Sequence, residues 1–109
     1  MDIFEELTRV LRERRGAAAR DSYVASLYDK GLNKILEKVG EEAVETILAA
    51  KDATTPEGKE HLASEVADLW FHTMVMMIHL DVEPARVLGV LEERFGISGH
   101  EEKRNRPPT

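Results

Sequence analysis

The sequence predicts an all-α protein: a bundle of two long and two to three shorter helices, completed by a second copy into a homodimeric four-helix-type core. Three observations predict it. Strand signals are missing, since no β-branched run alternates and no Asn-Gly or Asp-Gly hairpin occurs. Apolar residues instead recur at three- and four-residue spacing along nearly the whole chain. The stretch from Leu62 to Ile78 is apolar on almost every side of a helix, through Val66, Leu69, Trp70, Phe71, Met74, Val75, Met76 and Met77. A helix that is apolar all round has to be buried all round. A chain of 109 residues with one other long helix cannot cover it alone, which points to a two-fold dimer.

The first helix is expected from about Asp2 to Arg15, with Ile3, Phe4, Leu7, Val10 and Leu11 on one face and Gly16 as its stop. The linker GAAARD leads to Ser22, an N-cap residue type that opens a short helix through Tyr28, ended by Gly31. A long helix follows from about Leu32 to Asp52. Thr55-Pro56 sets an N-cap before a proline at the first helical position and opens a second long helix to about Leu80. Glu83-Pro84 repeats the arrangement for a last helix ending near Phe95-Gly96. Long helices of about 20 residues span ~30 Å each. The remaining ISGHEEKRNRPPT, about residues 97–109, is polar, basic in its second half and expected to be mobile. A single domain, 1–109, accounts for the length.

With 42% hydrophobic and 33% charged residues, the chain has enough apolar surface for a core and is expected to be globular. The absence of cysteine excludes a disulfide framework and any thiolate metal site. MDIFEELTRVLRERR lacks the apolar region of a signal peptide. The longest apolar stretch, Val66 to Leu80, is shorter than the ~20 residues of a membrane span and contains Asp68, His72 and His79. A cytoplasmic protein is the expectation. The formal charge of −6 argues against a general nucleic-acid binder. It suits an anionic small molecule only if a cation or a local basic cluster mediates the contact.

KVGEEAVET, residues 38–46, places Glu41, Glu42 and Glu45 within a ~100° arc of the long helix, with Lys34 and Lys38 in the same sector. Like charges at these spacings repel by about 0.2–0.5 kcal/mol per pair. Alone, the pattern matches a solvated acidic face with Lys–Glu pairs, opposite a core face of Leu32, Ile35, Leu36, Val39, Ala43, Ile47 and Ala50. Two features speak for contact on the acidic side as well. Val44 and Leu48 border it, and Gly40 removes a side chain just before the glutamates, as close approach of a neighbour or ligand requires.

On the next long helix Glu65, Asp68 and His72 share one stripe, flanked by Leu62, Leu69, Val75 and Met76. Carboxylates in such surroundings pair with Lys or Arg from a neighbouring helix, or they bind a metal. Packed antiparallel across a turn at Ala53–Thr55, the two helices bring Glu42 and Glu45 close to Glu65 and Asp68, and four clustered carboxylates need a cation. Oxygen-only ligation suits Mg2+ or Mn2+ rather than zinc. His72 is either a hydrogen-bond partner behind these carboxylates or a satisfied core histidine. His61, His79 and His100 show no metal-ligand spacing, Met74, Met76 and Met77 read as core filler, and Ser22 lacks a His–Asp relay.

Glu41-Glu42-x-x-Glu45, nineteen residues, and Glu65-x-x-Asp68 together resemble the paired-carboxylate signature of the all-α nucleoside triphosphate pyrophosphohydrolases, the MazG-like superfamily. Ser22-Tyr23 with Leu27 and Gly31, Ala50-Lys51, Glu65 to Leu69 with His72, and Ser98-Gly99 with Glu102-Lys103 resemble the phosphoribosyl-ATP pyrophosphatase family over roughly Ile3 to Arg106. The resemblance implies the second step of histidine biosynthesis, Mg2+-dependent hydrolysis between the α- and β-phosphates of phosphoribosyl-ATP to phosphoribosyl-AMP and pyrophosphate. It implies Glu42, Glu45, Glu65 and Asp68 as metal ligands, with Glu41 a further ligand or the group that orients the attacking water. Glu41, Glu42 and Glu45 form the implied catalytic set. Lys34, Lys38 and Lys51 are expected on phosphate oxygens, and Ser22 and Tyr23 on phosphate or ribose. Lys103, Arg104 and Arg106 are expected to close over the ligand.

Two other classes share parts of the pattern: a house-cleaning pyrophosphatase of the same superfamily acting on non-standard dNTPs, and a non-enzymatic helical interaction module. A di-iron bundle does not fit. Those need Glu-x-x-His pairs, and neither Glu42 nor Glu65 has a histidine three residues on.

Overall fold

Side-chain caps set the starts of three of the five α-helices. The structure, a computed structural model, describes residues 2–96. Helix α1 (Ile3–Arg15) begins where the Asp2 carboxylate accepts the Glu5 amide at 2.8 Å. A single 3-10 turn (Ala19–Asp21) inside the GAAARD linker precedes α2 (Tyr23–Lys30), whose N-cap Ser22 accepts from the Ala25 amide at 2.9 Å. Gly31 follows at φ +95°, where an L side chain would be strained, and the chain turns directly into α3 (Leu32–Lys51). Helix α4 (Pro56–His79) starts on the Thr55 cap, and α5 (Pro84–Phe95) starts on the second proline. No strand occurs among the described residues, so the all-helical expectation holds.

The α3–α4 turn depends on Gly58. A Cβ there would stand 2.6 Å from the Asp52 carbonyl oxygen, so any side chain would force the turn open. The two helices therefore return antiparallel at close range. The Thr46 hydroxyl on α3 lies 2.8 Å from the carbonyl oxygen of Glu42 and 3.2 Å from that of Glu65 on α4.

Core packing is concentrated at the C-terminal half of α4. Leu11, Leu27, Tyr28, Ile35, Met74, Val75 and Ile78 form one buried cluster contributed by α1, α2, α3 and α4, with Phe4, Leu7, Val24, Phe71 and Met76 around it. The Tyr28 hydroxyl donates to the Leu11 carbonyl at 3.0 Å and ties α2 to α1. Arg15 to Asp81 at 2.7 Å, and Arg12 to Glu83, hold α1 against the α4–α5 connection. Beyond this core, the free end of the α3–α4 hairpin projects, and the Cα radius of gyration is 17.1 Å, against about 13 Å for a compact chain of 100 residues.

One packing expectation is corrected. The buried face of α3 runs through Ile35, Glu42 and Ala49, with Val39 and Thr46 partly covered, because α4 approaches on that side. Leu36, Ile47 and Ala50, expected in the core, are exposed, and so are Val44 and Leu48. Helix α4, as expected of so short a chain, is not covered all round by the described residues. Trp70 is 67% exposed, and Ala63, Ala67 and Asp68 also face outward. Apart from the backbone of its own helix, no atom of the described residues lies within 4 Å of the place a Gly40 Cβ would take, so none of them explains it.

Candidate active site

The free portion of the α3–α4 hairpin carries the acidic residues. At 3.6 residues per turn, Glu42 and Glu45 lie one turn apart on the α3 flank nearest α4, and Glu65 meets them from α4. One carboxylate oxygen from each of Glu42, Glu45 and Glu65 lies within 4.8 Å of the other two. Glu42 is buried and Glu65 nearly so, yet Glu42 Oε2 and Glu65 Oε2 have no hydrogen-bond partner among the described residues. Orphaned, buried anionic oxygens facing each other are unfavourable unless a cation or proton joins them.

The electrostatics agree. Burial pushes the Glu42 carboxyl above the ordinary carboxylate range, and the charges of Glu45 and Asp68 push it further, while His72 and Lys38 partly offset the rise. Glu65 is raised by burial first, then by the adjoining Glu45 and by Asp68, with His61 pulling the other way. The donors are all oxygens, three close together and at least two without other partners, which fits a hard divalent cation.

The other expected site residues fall into three groups. Asp68 is exposed at the edge of the trio and is felt by both Glu42 and Glu65. Lys38 lies 3.3 Å from Glu41, and Lys34 lies 3.5 Å from Glu37, so both lysines line the outer rim of the acidic flank. Ser22 and Tyr23 open α2 beside α4, where the Tyr23 hydroxyl lies 3.0 Å from His72 Nε2. Lys51 stands apart. It sits six residues past Glu45 and about 120° around α3, outside the cluster. Lys103, Arg104 and Arg106 lie outside the described residues, as does the stretch expected to be mobile.

His72 is buried where α2 meets α4. It is 5% exposed, and both ring nitrogens are engaged, Nδ1 with the Asp68 carbonyl oxygen at 2.8 Å and Nε2 with Tyr23. Two neighbours were not singled out from the sequence. His61 Nε2 lies 3.8 Å from Glu65 Oε1, and the i,i+4 spacing was the available signal. Thr46 spans the Glu42 and Glu65 carbonyls, for which no local pattern exists.

Comparison with known families decides what this hairpin belongs to. The model of the phosphoribosyl-ATP pyrophosphohydrolase family matches residues 4–95, which includes the acidic residues of both helices. The chain belongs to this family. It is accordingly a hydrolase, with phosphoribosyl-ATP pyrophosphohydrolase activity in histidine biosynthesis. Among the described residues, no helix of this pyrophosphohydrolase is long and apolar enough to cross a membrane.

Proposed function

We propose that this chain hydrolyses phosphoribosyl-ATP between the α- and β-phosphates in a Mg2+-dependent reaction, with Glu42, Glu45, Glu65 and Asp68 holding the ion. The observation that carries this reading is the pair of orphaned, buried oxygens Glu42 Oε2 and Glu65 Oε2 beside Glu45. Mn2+ has the same ligand preference and is the expected substitute. Bound there, the ion supplies charge neutralisation for the triphosphate and Lewis acidity toward phosphate and water.

The protein's own groups do the rest. Glu41 is exposed beside the cluster and in contact with Lys38, a position from which it orients the attacking water. Lys34, Lys38, Ser22 and, at the far end of α3, Lys51 are the groups proposed for the phosphates, with Tyr23 beside them. These cations and the metal together admit a polyanion to a chain of charge −6.

The same reading includes a homodimer and a cytoplasmic location, where nucleotides and free Mg2+ are held. Support for the dimer is the outer face of α3, where Leu36, Val44, Ile47 and Leu48 surround Gly40 and are 43%, 55%, 61% and 58% exposed. Trp70 of α4 is likewise uncovered. Apolar exposure on this scale marks an association surface.

Incubation with Mg2+ and either phosphoribosyl-ATP or a panel of dNTPs tests the reading. Pyrophosphate release from phosphoribosyl-ATP that stops with EDTA and returns with Mg2+ is expected. Release from dNTPs alone would overturn the substrate, and release unaffected by EDTA would overturn the metal.

A further inference from the structure

His61 opens the stripe of α4 that carries the acids. At 3.6 residues per turn, His61, Glu65, Asp68 and His72 fall within about 60° of one another around the helix. His61 stands about 6 Å before Glu65 along the axis, toward the free end of the hairpin, and His72 about 10 Å beyond it, toward the core. The two ends differ in chemistry. At the His72 end, Ser22 and Tyr23 begin α2, and the half-exposed Tyr23 ring stacks on Phe71 at 6.4 Å and 21°. The Tyr23 hydroxyl lies 3.0 Å from His72 Nε2. From Ala49 through Leu69, the chain that makes the free end, no Phe, Tyr or Trp occurs.

His61 is placed to serve the free end. Its Nε2 lies 3.8 Å from Glu65 Oε1, close to the carboxylate but beyond hydrogen-bond length, so Glu65 does not take its donor. The His61 side chain is 63% exposed, against 15% for Glu65, and can turn to a neighbouring ligand. An imidazole carries at least one N–H in either charge state, and turning the ring presents it whichever nitrogen holds it. Lys51, the last residue of α3, lies at the same end of the hairpin.

We propose that phosphoribosyl-ATP lies along this stripe with its nucleoside toward Tyr23 and its terminal phosphates toward the free end, where His61 binds the departing pyrophosphate. Hydrolysis between the α- and β-phosphates adds one water across that bond and leaves the β- and γ-phosphates together as pyrophosphate. That product brings acceptor oxygens and no ring. It fits the end with an N–H donor and no aromatic face, whereas a base and ribose fit the end with Tyr23 and Ser22. This rests on the pyrophosphohydrolase reading and adds a direction to it: which product leaves from which end of the acidic stripe.

Calorimetric titration of the Mg2+-loaded protein with pyrophosphate and, separately, with phosphoribosyl-AMP tests the direction without turnover. His61→Ala should weaken pyrophosphate binding about tenfold, the scale of one hydrogen bond to a charged group, and change phosphoribosyl-AMP binding by less than about twofold. His61→Gln, which keeps an N–H donor, should recover part of the loss. Tyr23→Leu should show the opposite preference, losing phosphoribosyl-AMP and sparing pyrophosphate. Thermal melts with Mg2+ alone separate a merely supporting role, since His61→Ala should keep the full metal-induced rise in Tm. A reduced rise would place His61 behind Glu65 and overturn the proposal. So would an unchanged pyrophosphate affinity in His61→Ala, equal losses for both products, or a Tyr23→Leu protein that loses pyrophosphate instead. Hydrolysis of phosphoribosyl-ATP is read separately: a protein that binds pyrophosphate through His61 yet releases none from phosphoribosyl-ATP fails the activity reading and keeps the His61 site.

Discussion

Glu42 of α3 and Glu65 of α4 face each other across the hairpin, each with a buried carboxylate oxygen that has no hydrogen-bond partner among the described residues. Close approach of two such groups opposes folding unless a cation lies between them. Thermal melts with Mg2+ should show a rise in Tm that saturates with metal. Glu42→Gln removes one charge and should abolish that rise, cut pyrophosphate release at least about 100-fold and leave the metal-free protein no less stable. A Glu42→Gln protein that still gains stability from Mg2+ would remove Glu42 from the ligand set.

The raised carboxyls of Glu42 and Glu65 give the metal-free protein an unusual pH dependence. A carboxyl whose folded-state pKa exceeds its unfolded value binds its proton more tightly in the native state. The stabilisation is complete below the unfolded value and is lost as pH rises through the folded one. Urea midpoints in EDTA should therefore fall as pH climbs above the ordinary carboxylate range. Mg2+ should flatten that fall, and so should Glu42→Gln. Asp81, held down by its hydrogen bond to Arg15, acts with the opposite sign, its contribution lost as pH falls through its folded value. A midpoint that rises with pH in EDTA and is indifferent to Glu42→Gln would contradict the assignment.

Thr46 joins the two acidic helices through the Glu42 and Glu65 carbonyls. Replacing it with valine keeps the volume and deletes the hydroxyl, at a cost of about 1 kcal/mol. A drop of roughly 4–8 °C in Tm is the corresponding readout for a domain of this size. Gly58→Ala should cost more than Thr46→Val, because the added Cβ lies 2.6 Å from the Asp52 carbonyl oxygen. Calorimetry of both variants checks the order.

The uncovered α3 face predicts association. Sedimentation should give a dimer for the unmodified chain, and Ile47→Glu or Leu48→Arg should shift it to monomer, since a charge buried without a partner is strongly unfavourable. Both residues lie outside the acidic cluster, so any accompanying loss of activity would show that the dimer supports the site. Dimers that persist in both variants would place the interface elsewhere.

Helix existence and type were legible from local chemistry. Asp2, Ser22 and Thr55 cap as their residue types require, and Pro56 and Pro84 start helices because the missing N–H is not needed there. The boundaries of the long helices fall within a residue of the expected ones. The acidic trio was legible because Glu42, Glu45 and Glu65 recur at helical spacing on two segments joined by a tight turn. The depth of each carboxylate was not. Glu42 proved more buried and Asp68 more exposed than their flanking residues suggest, since burial depends on the rotation of α3 against α4.

By itself, the sequence determined the helices, their order, the absence of strand patterning and the pair of acidic segments, all consequences of period, capping and turn chemistry that act over a few residues. Only the tertiary structure decided which face of α3 turns inward, that Glu42 belongs to it, and that Tyr23 reaches His72 across 49 positions of chain. Those facts depend on how whole helices settle against one another. The Gly58 turn, the Thr46 link and the core around Val75 set that packing jointly, and no local window of residues contains them together.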